Sequence, residues 1–96
     1  MKRSNETTLK EAMDRLVDAF GLREKLDEQA VASIWDDVVG GMVARHTVAV
    51  KLRKGKLYVK VDSAPLRQEL TFMREALAAT INRRIGRQVV EKVQLD

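Results

Sequence analysis

Between Arg45 and Lys60 the sequence carries six basic residues, Arg45, Lys51, Arg53, Lys54, Lys56 and Lys60, and no carboxylate. Cations at this density suit a polyanion, because each phosphate they neutralise releases a condensed counterion. Without such a partner, the same run is a solvated basic hairpin. Tyr58 lies among these cations, where its ring either stacks on a base or packs against lysine stems. Arg83, Arg84 and Arg87 form a second basic cluster. One cation is enough to complement the negative end of a helix dipole, so the surplus points to phosphate contact. Other chemistry is poorly supplied. His46 is the single histidine, which excludes a multi-histidine metal site and suits a hydrogen-bonded turn. Asp27-Glu28 and Asp36-Asp37 are adjacent pairs. Neighbours on a helix point about 100° apart, so neither pair converges on a metal or a reacting proton. The chain has no cysteine, hence no thiolate ligand, disulfide or sulfur nucleophile. It carries no phosphate-binding loop, dinucleotide fingerprint or nucleophile elbow. A binding domain without catalytic, cofactor or metal site is expected.

The elements that would position the cations follow from periodicity. From Thr47 the apolar period is two, with Val48, Val50 and Leu52 on one side and Ala49, Lys51 and Arg53 on the other. Lys54-Gly55 supplies a hairpin turn, after which Leu57, Val59 and Val61 alternate with Lys56, Tyr58 and Lys60. One face of the hairpin is therefore apolar and the other basic. Ser63, ahead of Ala64-Pro65, reads as a helix cap. The spacing of Leu66, Leu70, Met73, Leu77 and Ile81 predicts one long helix closed by Gly86. A last strand is expected within Gln88 to Leu95, with Val89, Val93 and Leu95 on one side.

Upstream, Thr8 and Glu11 have capping-box spacing. Leu9, Ala12, Met13, Leu16, Val17 and Phe20 give a helical stripe over about residues 8–20, ended by Gly21. From about Asp27 a second stripe, Ala30, Val31, Ile34, Trp35, Val38 and Met42, predicts a helix that runs through Gly40-Gly41 to about Arg45, with Trp35 in the core. The expected fold is α+β in the order α-α-β-β-α-β, a three-stranded sheet with helices on one face. The antiparallel hairpin would be joined by a strand returning after a helix, parallel to one of its arms. With 96 residues, 45% of them apolar, a single domain is expected over 1–96, its core from about residue 27. The N-terminus is polar where a signal peptide needs an apolar stretch, and no run approaches the roughly 20 residues of a membrane span, so the cytoplasm is the expected location. Charge is uneven. Residues 1–46 hold seven basic and nine acidic side chains, whereas residues 47–96 hold eleven and five.

The string Trp35-x-x-Val38-Val39-Gly40, Ala44-Arg45-His46-Thr47, Gly55-x-Leu57-x-Val59-x-Val61-x-Ser63, Leu66-x-x-Glu69-Leu70 and Ile81-Asn82 before Gly86 resembles the DciA family from about residue 30 onward. The resemblance implies a KH-like fold. It also implies a role in bacterial chromosome replication, where such proteins bind the replicative helicase and single-stranded or branched DNA and promote helicase loading without hydrolysing nucleotide. Longer members carry a basic C-terminal tail that contributes to helicase contact, whereas this sequence ends at Asp96 and has its extra element in the N-terminal helix. That helix either completes the core or serves as a partner surface. The GxxG loop with which ordinary KH domains clamp a nucleic-acid backbone has no counterpart here. The alternatives are a protein-interaction module that meets the helicase without touching DNA, and a KH-like RNA-binding protein.

Overall fold

A chain that alternates apolar and basic residues must give each set its own side of a sheet, and the structure is organised around that separation. It is a computed structural model describing residues 2–96, with side chains from Thr8 onward; Met1, where the reading against a signal peptide begins, lies outside the described residues. The elements are α1 (Lys2–Ala19), α2 (Arg23–Val39), α3 (Gly41–Arg45), β1 (Thr47–Arg53), β2 (Lys56–Val61), α4 (Ala64–Phe72), α5 (Arg74–Ile85) and β3 (Lys92–Leu95). The sheet order is β1-β2-β3, with β1 antiparallel and β3 parallel to the central β2. This is the expected α+β order and mixed sheet. On β2 the inward Leu57, Val59 and Val61 are fully buried, and α2 and α5 cover them with Val31, Trp35, Leu77 and Ile81.

Polar contacts fix the register of helices on sheet. The Trp35 indole N–H donates to Thr47 Oγ1 at 3.0 Å, and the Thr47 hydroxyl donates to the Val43 carbonyl at 2.8 Å. Trp35 is thus a core residue tying α2, α3 and β1 together. His46 Nδ1 meets Asp62 Oδ1 at 2.8 Å, and Asp62 N–H donates to the His46 carbonyl, closing the open end of the hairpin. At the other end Lys54 and Gly55 both have positive φ, 50° and 78°, as a two-residue hairpin loop requires. A Cβ on Gly55 would also come within 3.1 Å of the Glu91 side chain. Ser63 caps α4 by accepting from Leu66 N–H, and Gly86, at φ 94°, closes α5.

Six local expectations are corrected. Helix α1 begins at Lys2, so Thr8 and Glu11 lie within it and form no capping box at its start. Helix α2 begins at Arg23, four residues before the expected Asp27. Gly40, at φ 85° and ψ 166°, ends that helix, and the following turn α3 leaves Met42 exposed instead of continuing the buried stripe. The pairing Thr47↔Val61 followed by Ala49↔Lys60 leaves Val48 as a bulge residue, 59% exposed, so it does not share the inward face of Val50 and Leu52. The long helix breaks at Met73, which is 51% exposed. There the Thr71 hydroxyl back-bonds to the Arg67 carbonyl, and Met73 N–H reaches Leu70, three residues back instead of four. Finally, β3 is only four residues long, and the preceding Val89 and Val90 are buried outside any ladder.

Asn82 explains how that non-ladder segment is held. Its side-chain oxygen accepts from the backbone N–H of both Val89 and Val90 at 2.9 Å, and its amide donates to the Val90 carbonyl at 2.8 Å. Replacing Asn82 by Ala strands three backbone groups beside buried valines, at a cost of about 1–3 kcal/mol. Thermal denaturation should register a fall of about 4–8 °C for each kcal/mol lost. Asn82→Asp, which keeps the two acceptor contacts, should fall between.

Candidate nucleic-acid interface

Because Leu52, Leu57, Val59 and Val93 point into the core, the alternate positions of all three strands share the opposite face. The registers arrange them in rows. Arg53 stands opposite Lys56, which stands opposite Lys92; Lys51 stands opposite Tyr58, which stands opposite Gln94; Ala49 stands opposite Lys60. Five cations occupy this face, and one carboxylate lies at its margin: Asp96, one residue past β3, whose Oδ1 accepts from Gln94 Nε2 at 3.2 Å. Lys51, Arg53, Lys60 and Lys92 are exposed, and Lys56 and Tyr58 are half-buried. The Lys56 ammonium lies over the Tyr58 ring, 5.4 Å from its centre. Lys54 sits exposed in the hairpin turn and Arg45 exposed at the end of α3, so they extend the basic strip lengthwise. Among the described residues, none of these lysines, nor Arg45 or Arg53, has a carboxylate within ion-pair distance.

The first row is costly to keep unpaired. Strands lie about 4.8 Å apart, and like charges directly opposite one another destabilise a sheet. A bound anion would remove that repulsion. Two further acids occupy the free edge of β1, where Glu28 Oε2 accepts from Leu52 N–H at 2.9 Å and Glu24 Oε2 accepts from Lys54 N–H at 3.4 Å. These carboxylates line a cleft with Lys51 and Arg53 but are spent on backbone amides.

The second predicted cluster lies elsewhere. Arg84 pairs with Asp37 at 3.5 Å and Arg87 pairs with Asp27, fastening the end of α5 to α2 in the helix layer. Arg83 is exposed and has no acidic partner among the described residues. The structure thus gathers Lys51, Arg53, Lys56, Tyr58 and Lys60 on one face and sets the three arginines apart from them. Two cations were missed by sequence reasoning. Lys92 completes the first row, and the inward alternation of Val93 and Leu95 was enough to place it outward. Arg74, exposed by the break at Met73, lines a cleft with Lys56, Lys92 and Gln94 along β3, and no sequence signal marked that break.

Comparison with known proteins adds the lineage. The model of the family described as Dna[CI] antecedent, DciA, matches residues 8–95. The chain belongs to the DciA family. A UPF0232 protein of Corynebacterium glutamicum (strain R) is 25% identical over 65 residues, covering 68% of this chain and 36% of that relative. The match therefore spans little more than a third of the relative's length. No solved structure gives a significant match. Among the described residues of this DciA-family chain, no group of acidic or histidine side chains is placed to hold a metal ion, and no helix is long and apolar enough to cross a membrane.

The carboxylates at the β1 edge can be tested apart from any ligand. Glu28→Ala leaves the Leu52 amide without its acceptor and should lower unfolding stability by about 1–3 kcal/mol. Glu28→Gln retains an acceptor oxygen and should recover most of the loss, read as the midpoint shift in urea at constant slope.

Proposed function

We propose that this chain is a non-enzymatic accessory factor of bacterial DNA replication that binds single-stranded or branched DNA on the outer face of its sheet and meets the replicative helicase with other surfaces. Membership of the DciA family supports the replication setting. The observation that carries the DNA-binding part is the set of unpaired cations on Lys51, Arg53, Lys56, Lys60 and Lys92. Contacts from such side chains go to phosphates and fix position without reading sequence. The seven residues of β1 offer a track of about 23 Å. Lys54 and Arg45 prolong it at the two ends. Tyr58, at the middle of the track, becomes a stacking platform once Lys56 swings from its ring to a phosphate. Arg83 extends the footprint from the helix layer, while Arg84 and Arg87 contribute less because Asp37 and Asp27 already hold them. No step of this activity requires a cofactor.

Anisotropy of a labelled single-stranded oligonucleotide, titrated at several salt concentrations, tests the proposal. With four or five phosphate contacts at about −0.7 each, the log–log slope should be near −3. Reversing Lys51, Lys56 and Lys92 to Glu should abolish binding, and each single reversal should flatten the slope by about 0.7. Tyr58→Ala should weaken binding by about 1–3 kcal/mol, whereas Tyr58→Phe should not. Wild-type affinity after the triple reversal sinks the DNA-binding reading. Tighter binding of RNA than of DNA of equal length would move the chain to RNA handling. Capture of the helicase without any oligonucleotide shift at low salt would leave a protein-interaction module.

A further inference from the structure

Among the described residues, helix α1 contributes no side chain to the core, and it carries an unpartnered apolar stripe. Leu9, Met13, Leu16 and Phe20 are 62%, 57%, 55% and 72% exposed. Their spacing of four, three and four is that of a coiled-coil seam. The helix is also fixed in an outstretched position. Its end is a Schellman motif, with Leu22 N–H bonded to the Val17 carbonyl, Gly21 N–H to the Asp18 carbonyl and Gly21 at φ 67°. Arg23, the first residue of α2, clamps Asp14 at 3.3 Å and Asp18 at 3.2 Å. Asp14 and Asp18 lie on the side of α1 away from the seam, so the body is fastened to the polar face and the apolar face is turned outward. The molecule consequently measures 55 × 23 × 21 Å.

We infer that the occupant of this seam is a second copy of the same chain, its α1 packed antiparallel. In that register Leu9 meets Phe20 of the other helix and Met13 meets Leu16, which fills four layers, two of each kind, related by a two-fold axis. The positions flanking the seam are Lys10, Ala12, Val17 and Ala19, so no two like charges face each other across it. Glu11, Asp14, Arg15 and Asp18 all lie outside it, and Glu11 and Arg15 already pair within the helix. A strongly acidic or basic partner would find no complementary rim here, whereas a second α1 matches in length, apolar spacing and near-neutral flanks. Antiparallel packing also places the two bodies, with their basic sheets, at opposite ends. So short a seam holds a dimer only weakly, and association must depend on concentration.

Sedimentation velocity of the full chain from low micromolar to several hundred micromolar tests this. The expected result is a reversible shift from 10.9 kDa toward twice that mass, lost in Met13→Glu/Leu16→Glu, whose melting curve should match the wild type because neither side chain belongs to the core. The chain has no native cysteine, so Ala12→Cys/Ala19→Cys should oxidise to a covalent dimer and Ala19→Cys alone should not. A wild-type chain that stays monomeric throughout overturns the inference. So does cross-linking by Leu9→Cys alone, which demands a parallel pair, or a seam variant that loses helicase capture while the wild type never dimerises, which assigns the stripe to that partner.

Discussion

The structure depends on the pleat of β2. This strand is paired on both sides, and its inward residues Leu57, Val59 and Val61 are fully buried. A slip of one residue would carry all three into water, at about 1.5–3 kcal/mol each, and drive Lys56 and Lys60 into an apolar core, so the register is firmly set. Once that register is set, Lys56, Tyr58 and Lys60 have no other place than the outer face. Pairing with β1 and β3 then brings Arg53, Lys51 and Lys92 beside them. The basic platform is a consequence of how the core is buried, and it needs no separate device to assemble it.

Both edges of so small a sheet must be managed, since free strand amides invite pairing with other chains. On β1, Glu24 and Glu28, one helical turn apart on α2, accept from Lys54 and Leu52 amides, and the Val48 bulge interrupts the ladder farther along. On β3 the strand is short, and its first residues are tied to the hairpin turn by Glu91 and Lys92 amides bonded to the Gly55 carbonyl. These arrangements also bound the site. The carboxylates at the β1 edge set a negative margin beside Lys51 and Arg53, and at the β3 edge Lys92 and Arg74 share a cleft with Glu75 and Glu91.

The parts of the fold and site that were legible in the sequence were those set by nearest-neighbour patterning. Alternation at 57, 59 and 61, the Lys54-Gly55 turn, the Ser63 cap and the Gly86 stop each depend on a few adjacent residues, and each is found as expected. The errors fall where tertiary contacts outvote the local period. Met42 and Met73 both keep a 3.6-residue stripe on paper, yet both lie at helix breaks and face water. Their large flexible side chains satisfy a periodicity test without being needed in the core. Val48 looked inward because strict alternation cannot register an inserted bulge residue. Lys92 was hidden for a different reason: its charge becomes part of a row only through a parallel pairing with residues 36 positions earlier. The Asn82 contacts are equally silent in sequence, because nothing local distinguishes an asparagine that holds a distant backbone from one that faces solvent.

The placement of ion pairs says more about the molecule than its net charge of +4. In the helices, Arg23 holds Asp14 and Asp18, Arg84 holds Asp37, and Arg87 holds Asp27. Arg23 keeps its proton more firmly than usual because its hydrogen bonds to Asp18 and then Asp14 favour the charged form. The acids of the first half of the chain are thus largely spent on the helical framework or on the β1 amides. The sheet cations are left without partners among the described residues, although their spacing makes each raise the energy of the next. Were charge present only for solubility, either sign in any arrangement would serve, and interleaved signs would cost less. Setting Arg53, Lys56 and Lys92 side by side without an acidic partner raises the energy of the free protein, and an anion lying across that row would relieve it.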